Sequence, residues 1–354
     1  MATIYTRKNA WNYGGTFDNP DLLWYAKAVG EMQNRALNDE TSWWFFAGIH
    51  GHNWINLPTP PTIPTNPQPT PAIRKQYWNH CQHGTWFFLP WHRGYLYALE
   101  KVLRGIIQEK GGPVDWALPY WNYFGSNTQY QIPPAFTAET LPDGSANPLF
   151  VNARYGPQNN RNIFITITAW NINQNCQNNT SFEGDQPYYY GGSATGFEHS
   201  GYADRGSIED NPHNIVHVAI GGQNPTTGSG GLMSVPDTAG LDPVFYMHHC
   251  NIDRMWAEWN KSGKDNPQNN AWLNGPTATG DRKFYMPNPD QSAWEFTPGM
   301  VNSITELGYT YEEIFPTEVH PLFSSIGKRL RRIGLPLEEL EKFSIMKKKL
   351  NAEL

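Results

Sequence analysis

The sequence predicts a mainly α-helical fold on a four-helix skeleton, with long irregular connections and small peripheral strands. Three features lead there. Cap residues followed by proline open segments whose apolar side chains recur at helical spacing. Between these segments lie stretches rich in Pro, Asn, Gln and Gly, which favour loops. Finally, two histidine-bearing segments lie about 120 residues apart. They can serve one centre only if separate helices bring them face to face.

Taken in order, Asn19-Pro20 reads as an N-cap with proline at the first helical position, and Leu22, Ala26, Val29 and Leu37 continue the apolar spacing. The aromatic-rich stretch from Ser42 to His50 is a second helix, ended by Gly51. Seven prolines between Pro58 and Pro71 exclude a helix or central strand and predict an extended surface loop. Pro90 opens a long amphipathic helix. Its buried stripe is Leu96, Leu99, Leu103, Ile106 and Ile107, and Gly111-Gly112-Pro113 stops it. Residues 124–206 read as loops with short strands such as Ile163 to Ala169. Asn211-Pro212 and Asp242-Pro243 repeat the cap-then-proline signal and open two more helices. From Thr317 the chain turns rich in Lys, Arg, Glu and Leu, with a terminal helix expected over Leu337 to Leu350.

If His50 and His249 serve one centre, everything between them folds around it. Residues 1–315 are therefore expected to form one domain, and 316–354 a C-terminal extension acting as a lid, an oligomer contact or a mobile tail. A net charge of -6 and a pI near 6.0 show no basic footprint for nucleic acid. No apolar run is long enough to span a membrane. The N-terminus lacks the apolar core of a secretory signal, which predicts a cytoplasmic protein. Three cysteines in so long a chain argue against a disulfide framework.

The chemistry sits in the histidines. His83 and His92 are nine residues apart, which on one helix would place them on opposite faces. Pro90 resolves this by putting His92 in the first turn of the new helix and His83 in the segment before it. A third imidazole comes from the end of the second helix, where His50 and His52 compete, with His80 a further candidate. In the other segment, His213 and His217 are four apart and project from one face of a short helix. The zinc peptidases that share this spacing carry Glu after the first histidine; here that residue is Asn214. On the helix opened by Pro243, His249 shares a face with Phe245, Ile252 and Trp256, whereas His248 does not. Imidazole clusters without accompanying carboxylates or thiolates suit copper better than magnesium or calcium. Two sets of three describe a pair of copper ions, so the fold expectation becomes a four-helix bundle holding a dinuclear copper centre.

The stretch His83 to Glu100, with its Leu-Pro-Trp-His92-Arg93, resembles the first copper motif of tyrosinases, catechol oxidases and molluscan hemocyanins. Asp242-Pro243-Val-Phe245, then His249 and Asp253, resembles the second. Arg7-Lys8-Asn-Ala-Trp11, the loop from Tyr190 to His213, and Leu307-Gly-Tyr309-Thr-Tyr311 resemble the opening, the second-site loop and the closing tyrosine motif of that family. The chain is thus identified as a type 3 copper protein of the tyrosinase and catechol oxidase branch. The resemblance implies the ligand sets His50, His83, His92 and His213, His217, His249. Phe245 and Asp253 then stand behind His249, with Asp253 helping to hold the helix and its ligand.

The same resemblance implies a thioether between Cys81 and the ring of His83, since Cys81-Gln82-His83 has the fungal and molluscan spacing. It also casts Glu209 as the acid that accepts a phenol's proton and Asn214 as its amide partner. The loop Met233-Ser-Val235-Pro236 lacks the aromatic that covers the first copper in many catechol oxidases. That implies an open substrate entrance at Val235 and Pro236. The expected partners are dioxygen, phenols and o-diphenols, in a chain that could form a homo-oligomer. The expected activity is o-hydroxylation of monophenols and oxidation of o-diphenols to o-quinones. Alternatives are a catechol or o-aminophenol oxidase without monophenolase activity, a hemocyanin-like oxygen binder, or a metal protein without oxygen chemistry.

Overall fold

The computed structural model describes residues 3–52, 54, 63–125, 128–165, 172–184, 189–199, 204–276 and 283–314. The C-terminal extension, the helix expected over 337–350, residues 166–169 of the expected strand and part of the proline-rich segment lie outside the described residues.

Strand β1 (Tyr5–Arg7) leads into α1 (Pro20–Gln33), capped by Asn19, whose side chain accepts from the Asp21 amide at 3.0 Å. The helix ends at Gln33, short of Leu37, which is still buried. Helix α2 (Trp43–His50) is capped by Ser42 and closed by Gly51, as its sequence suggests. Residues 63–70 carry no helix, but Pro71 starts one. It is the first residue of α3 (Pro71–Tyr77), with Thr70 as its cap.

Helix α4 (Phe88–Glu109) begins two residues before the expected start, so Pro90 lies inside its first turn, where its missing N–H costs nothing. The stripe from Leu96 to Ile107 is buried, and Gly111, at φ +76°, turns the chain out of the helix.

The predicted helix at Pro212 differs. Residues Glu209–Asn214 form a wide irregular turn in which Asn211 is extended (φ -148°, ψ 114°). The regular helix α5 (Ile215–Gly221) starts three residues later. Instead of capping a helix, the Asn211 side chain accepts from the Asn173 amide at 3.1 Å. Short α6 (Pro236–Ala239) precedes α7 (Pro243–Lys261), where Asp242 caps the Val244 amide at 3.0 Å as its sequence predicts. Helix α8 (Asn270–Leu273), an antiparallel pair β2 (Phe284–Pro287) with β3 (Ala293–Phe296), and β4 (Tyr309–Tyr311) complete the described elements. At Ile163 to Ile165 there is only a bridge, Phe164 to Gln131.

Helix α4 packs between α1 and α7, and α2 packs on α1 and α6. The elements and their connections are pinned by aromatic side chains whose apolar bodies join the core while their polar atoms reach backbone carbonyls distant in sequence. Trp43 donates to Leu241 O, Trp116 to Asp21 O, Trp259 to Asn179 O, Trp272 to Trp86 O and Tyr25 to Pro243 O, all at 2.7–3.1 Å.

The two ends of the domain meet as parallel strands, with Arg7 opposite Tyr311. This delivers the fully buried Arg7 to Glu100 on α4 (2.7 Å) and Asp253 on α7 (3.3 Å). Arg104 pairs with the other oxygen of Glu100, and Arg93 reaches Asp253 at 2.6 Å. Tyr309 and Tyr311 donate to Asp253 at 2.7 and 2.5 Å. Burial alone would push Asp253 up, but Arg93 and Arg7 outweigh it and hold the carboxylate below its usual range.

Among the described residues, no helix is long and apolar enough to cross a membrane.

Candidate metal centre

His50 ends α2, and the chain turns away at Gly51. Its Nδ1 lies 2.9 Å from Pro236 O. His92 sits just past the first turn of α4 with Nδ1 2.8 Å from Phe88 O. A carbonyl can only accept, so both rings carry their proton on Nδ1 and leave Nε2 as a bare lone pair. Both Nε2 atoms are buried without a hydrogen-bond partner. His83 comes from the segment before α4, and its ring centroid lies 5.3 Å from those of His50 and His92.

The second group has the same design. His217 Nδ1 faces Met233 O at 2.9 Å, and His213 Nδ1 faces the side-chain oxygen of Asn214 at 3.0 Å. Their Nε2 atoms each lie 3.2 Å from Nε2 of His249. His213 lies near the end of the irregular turn that runs directly into the helix carrying His217, four residues on, so the two rings come from one local stretch of chain. His249 stacks on His92 across the centre, with centroids 4.4 Å apart and planes at 15°.

His248 also belongs to the cluster of imidazoles within ligand distance of one another. Its ring lies 4.9 Å from His217, 5.3 Å from His213 in near-parallel planes, and 5.7 Å from Tyr123. No close contact joins it to the first group, whereas His249 touches both.

Burial pushes all six of these imidazoles (His50, His83, His92, His213, His217 and His249) below their ordinary range, down to about 3 for His92 and about 4 for His217. They are neutral at physiological pH. Lone pairs converging on one pocket repel each other unless a cation lies among them. Nδ1 of His50, His92, His213 and His217 donates outward to a protein oxygen, the arrangement that orients metal-binding histidines, while His83 Nδ1 faces Cys81 Sγ and His249 Nδ1 has no hydrogen-bond partner. The donor set therefore fits soft-to-borderline metal ions bound through imidazole nitrogen.

The other predicted residues fall around this pocket. Phe245 packs its ring on His249 (4.1 Å), His50 (4.8 Å) and His217 (5.7 Å), contacting both groups. Asp253 does not touch an imidazole; its oxygens go to Arg93, Arg7 and the two tyrosines, so it fixes helices and not a ligand ring. The reason is direction: four residues past His249, it lies one turn further along α7, beyond the rings.

Cys81 Sγ lies 3.3 Å from His83 Nδ1 and 3.2 Å from His199 Nδ1, and it forms no disulfide. Glu209 is buried, with Oε1 accepting from the Gly84 amide at 2.9 Å and Oε2 without a partner. Burial pushes its carboxyl up to about 8. Asn214 spends its amide oxygen on His213, and no hydrogen bond joins it to Glu209 among the described residues. Val235 is half-buried and Pro236 exposed, beside the carbonyls that hold His217 and His50.

Several contributors escaped the sequence reading. Phe88 supplies the carbonyl for His92 and packs its ring on His92 and His213, both at 4.6 Å. Its place four residues before His92 is the signal that could have found it. The carbonyls of Met233 and Pro236 left no such signal, because a backbone oxygen has no sequence identity, and His199 meets Cys81 only through long-range folding.

The family profile described as the common central domain of tyrosinase matches residues 40–262. Tyrosinase HcTyr1 of Hahella sp. (strain CCB-MM4) is 37% identical over 326 residues, covering 88% of this chain and 64% of that protein. The chloroplastic catechol oxidase B of Solanum tuberosum is 34% identical over 211 residues, 54% of this chain and 33% of the plant protein. The chain thus spans from a third to just under two thirds of these relatives. Among solved structures, latent apple tyrosinase aligns over 89% of this chain and 64% of its own, with a TM-score of 0.65 at 20% identity. Grenache (Vitis vinifera) polyphenol oxidase aligns over 89% of this chain and 86% of its own, with a TM-score of 0.63 at 21% identity. The structural likeness shows the mainly helical fold, and the profile covers the whole histidine pocket. With both in hand, the chain belongs to the tyrosinase family of dinuclear copper proteins.

Proposed function

We propose that this chain uses dioxygen to oxidise phenols, hydroxylating monophenols at the ortho position and oxidising o-diphenols to o-quinones. The supporting observation is the pocket of convergent imidazole Nε2 atoms, with the visible Nδ1 partners all turned outward. In this reading His50, His83 and His92 hold one copper, and His213, His217 and His249 the other. Bound copper would supply a one-electron couple at each ion and the capacity to bind dioxygen.

The chain's own residues handle the rest. Phe88 and Phe245 keep the rings in register and make the walls apolar, which excludes competing water. A monophenol must lose its proton to coordinate a metal as phenolate. The unpartnered Oε2 of Glu209 is the acceptor once that carboxyl is ionised, which burial delays to about pH 8 in the metal-free chain, while Gly84 N–H fixes the other oxygen. Asn214 acts through His213, holding that ring so the substrate face of the second copper keeps its orientation. Val235 and Pro236 border the entrance, and the thioether between Cys81 and His83 would lock a ligand carried by the loop segment before α4.

Oxygen uptake by the copper-loaded chain on tyrosine, L-DOPA, catechol and o-aminophenol tests this. Uptake with quinone formation on tyrosine and L-DOPA is expected. Turnover of the diphenols alone would make the chain a catechol oxidase, and reversible oxygen binding without quinone an oxygen carrier.

A further inference from the structure

One short segment holds an imidazole from each ligand group. Met233 O accepts from His217 and Pro236 O from His50, three residues apart along the chain. That segment, 231–240, is internally tied: Thr238 Oγ1 donates to Leu232 O (2.9 Å), the Thr238 amide donates to Val235 O (3.0 Å), and the Ser234 amide donates to Gly231 O (2.9 Å). At one end Ser234 Oγ donates to Gly222 O at 3.0 Å, and a Cβ on Gly221 would meet Ser234 N at 2.3 Å. At the other, Trp54 Nε1 donates to Asp237 O at 3.1 Å, and a Cβ on Gly51 would meet Asp237 Cα at 2.6 Å. Gly51 and Gly221 follow or close the helices that carry His50 and His217. The segment is therefore docked on both ligand helices by direct backbone contact.

We infer that residues 231–240 act as a rigid strap that couples the two copper sites. Ser234, Trp54, Gly51 and Gly221 are its positioning residues. Moving one end shifts both carbonyls, because the internal hydrogen bonds leave no hinge between Met233 and Pro236. The orientation of His50 then depends on contacts made beside His217, and the reverse. Outer partners of metal-binding histidines are typically worth ~10- to 100-fold in metal affinity, so a shared partner makes the two ions bind and leave together.

This inference rests on the ligand assignment above, and its test separates the two. Ser234→Ala loosens the His217 end and Trp54→Phe the His50 end, both with conservative side chains. Gly221→Ala is the stronger push, checked for folding by circular dichroism and by melting of the metal-free chain. Each variant, fully loaded, is titrated with a chelator while copper per chain and the electron paramagnetic signal of isolated Cu(II) are followed. The strap predicts that Ser234→Ala and Trp54→Phe each raise the loss of both coppers about ten-fold, with no build-up of a one-copper species. Loss of only the nearer copper, seen as an accumulating isolated Cu(II) signal, would overturn the coupling, and so would unchanged copper retention in both variants. His50→Ala and His217→Ala serve as controls. If both kept two coppers, the ligand assignment itself would fall, independently of the strap.

Discussion

Arg93, which directly follows His92, donates from Nε to Asp253 at 2.6 Å, and Asp253 lies four residues beyond His249. One buried ion pair therefore joins α4 to α7 within a turn of the place where His92 and His249 stack. Arg93 also lies over the Trp256 ring at 3.5 Å, so its position is set by stacking as well as charge.

Removing that carboxylate leaves the buried Arg93 without its carboxylate partner and Arg7 with Glu100 alone. Breaking a buried pair from one side typically costs ~3–5 kcal/mol. Asp253→Ala is expected to destabilise the metal-free chain by about that amount in denaturant unfolding. Glu209→Ala, which removes no ion pair, should cost clearly less. Equal costs would show that the network does not hold the helices.

The ligand choice on α7 follows from which ring touches both groups. His249→Ala is expected to abolish oxidase activity and lower copper content, while His248→Ala retains two coppers per chain. Metal analysis after dialysis decides between them; the reverse pattern would move the ligand to His248.

For Cys81, the sulfur already sits 3.3 Å from the His83 ring. Forming a C–S bond removes one hydrogen from the thiol and one from the ring, a two-electron oxidation for which dioxygen at the loaded site is the acceptor. Intact mass of the active holoenzyme should be two hydrogens lower than the sequence mass, with Cys81 inert to thiol reagents after unfolding. An alkylated Cys81 in active enzyme rules the link out.

With Glu209 proposed as the proton acceptor, its removal is expected to separate the two proposed activities. A monophenol has one proton to lose, whereas a diphenol is more easily oxidised and leans less on a base. General-base catalysis is worth roughly 10²–10⁴-fold. Glu209→Gln should therefore cut tyrosine hydroxylation far more than L-DOPA oxidation at full copper loading. Asn214→Ala, acting through His213, should be milder. Equal losses on both substrates would leave Glu209 a structural residue.

Acid should destabilise the metal-free chain. Unfolded imidazoles take up protons near 6.5, but burial holds His92 to about 3 and His217 to about 4. Between those values the unfolded chain binds more protons, so stability falls as pH falls from about 6.5 toward 4. Above about pH 7 both states are neutral and these groups add no slope. Thermal midpoints of metal-free protein across that range measure it. A flat acid limb would mean the rings are not held away from solvent.

Much of this protein is legible in its linear pattern, and the reason is that the legible parts are local. Asn19, Ser42 and Asp242 cap the helices that follow them because a side-chain oxygen and an amide two or three residues on are brought together by the chain itself. The stripe from Leu96 to Ile107 faces the core because helical spacing places it there, and the six histidines could be numbered from their spacing and their likeness to a family. What the sequence could not state is long-range. Asn211-Pro212 carries a cap signal, yet Asn173 from another loop takes the Asn211 oxygen, and His213 is presented by an irregular turn. Asp253 looked like a ligand's partner but is claimed by Arg7, Arg93 and two tyrosines from both ends of the domain. The oxygens that orient His50, His92 and His217 are backbone carbonyls, which any residue supplies. Only the packing of α2, α4, α5 and α7 with the strap decides which carbonyl meets which ring, because such contacts depend on where the backbone passes and not on what side chain it bears.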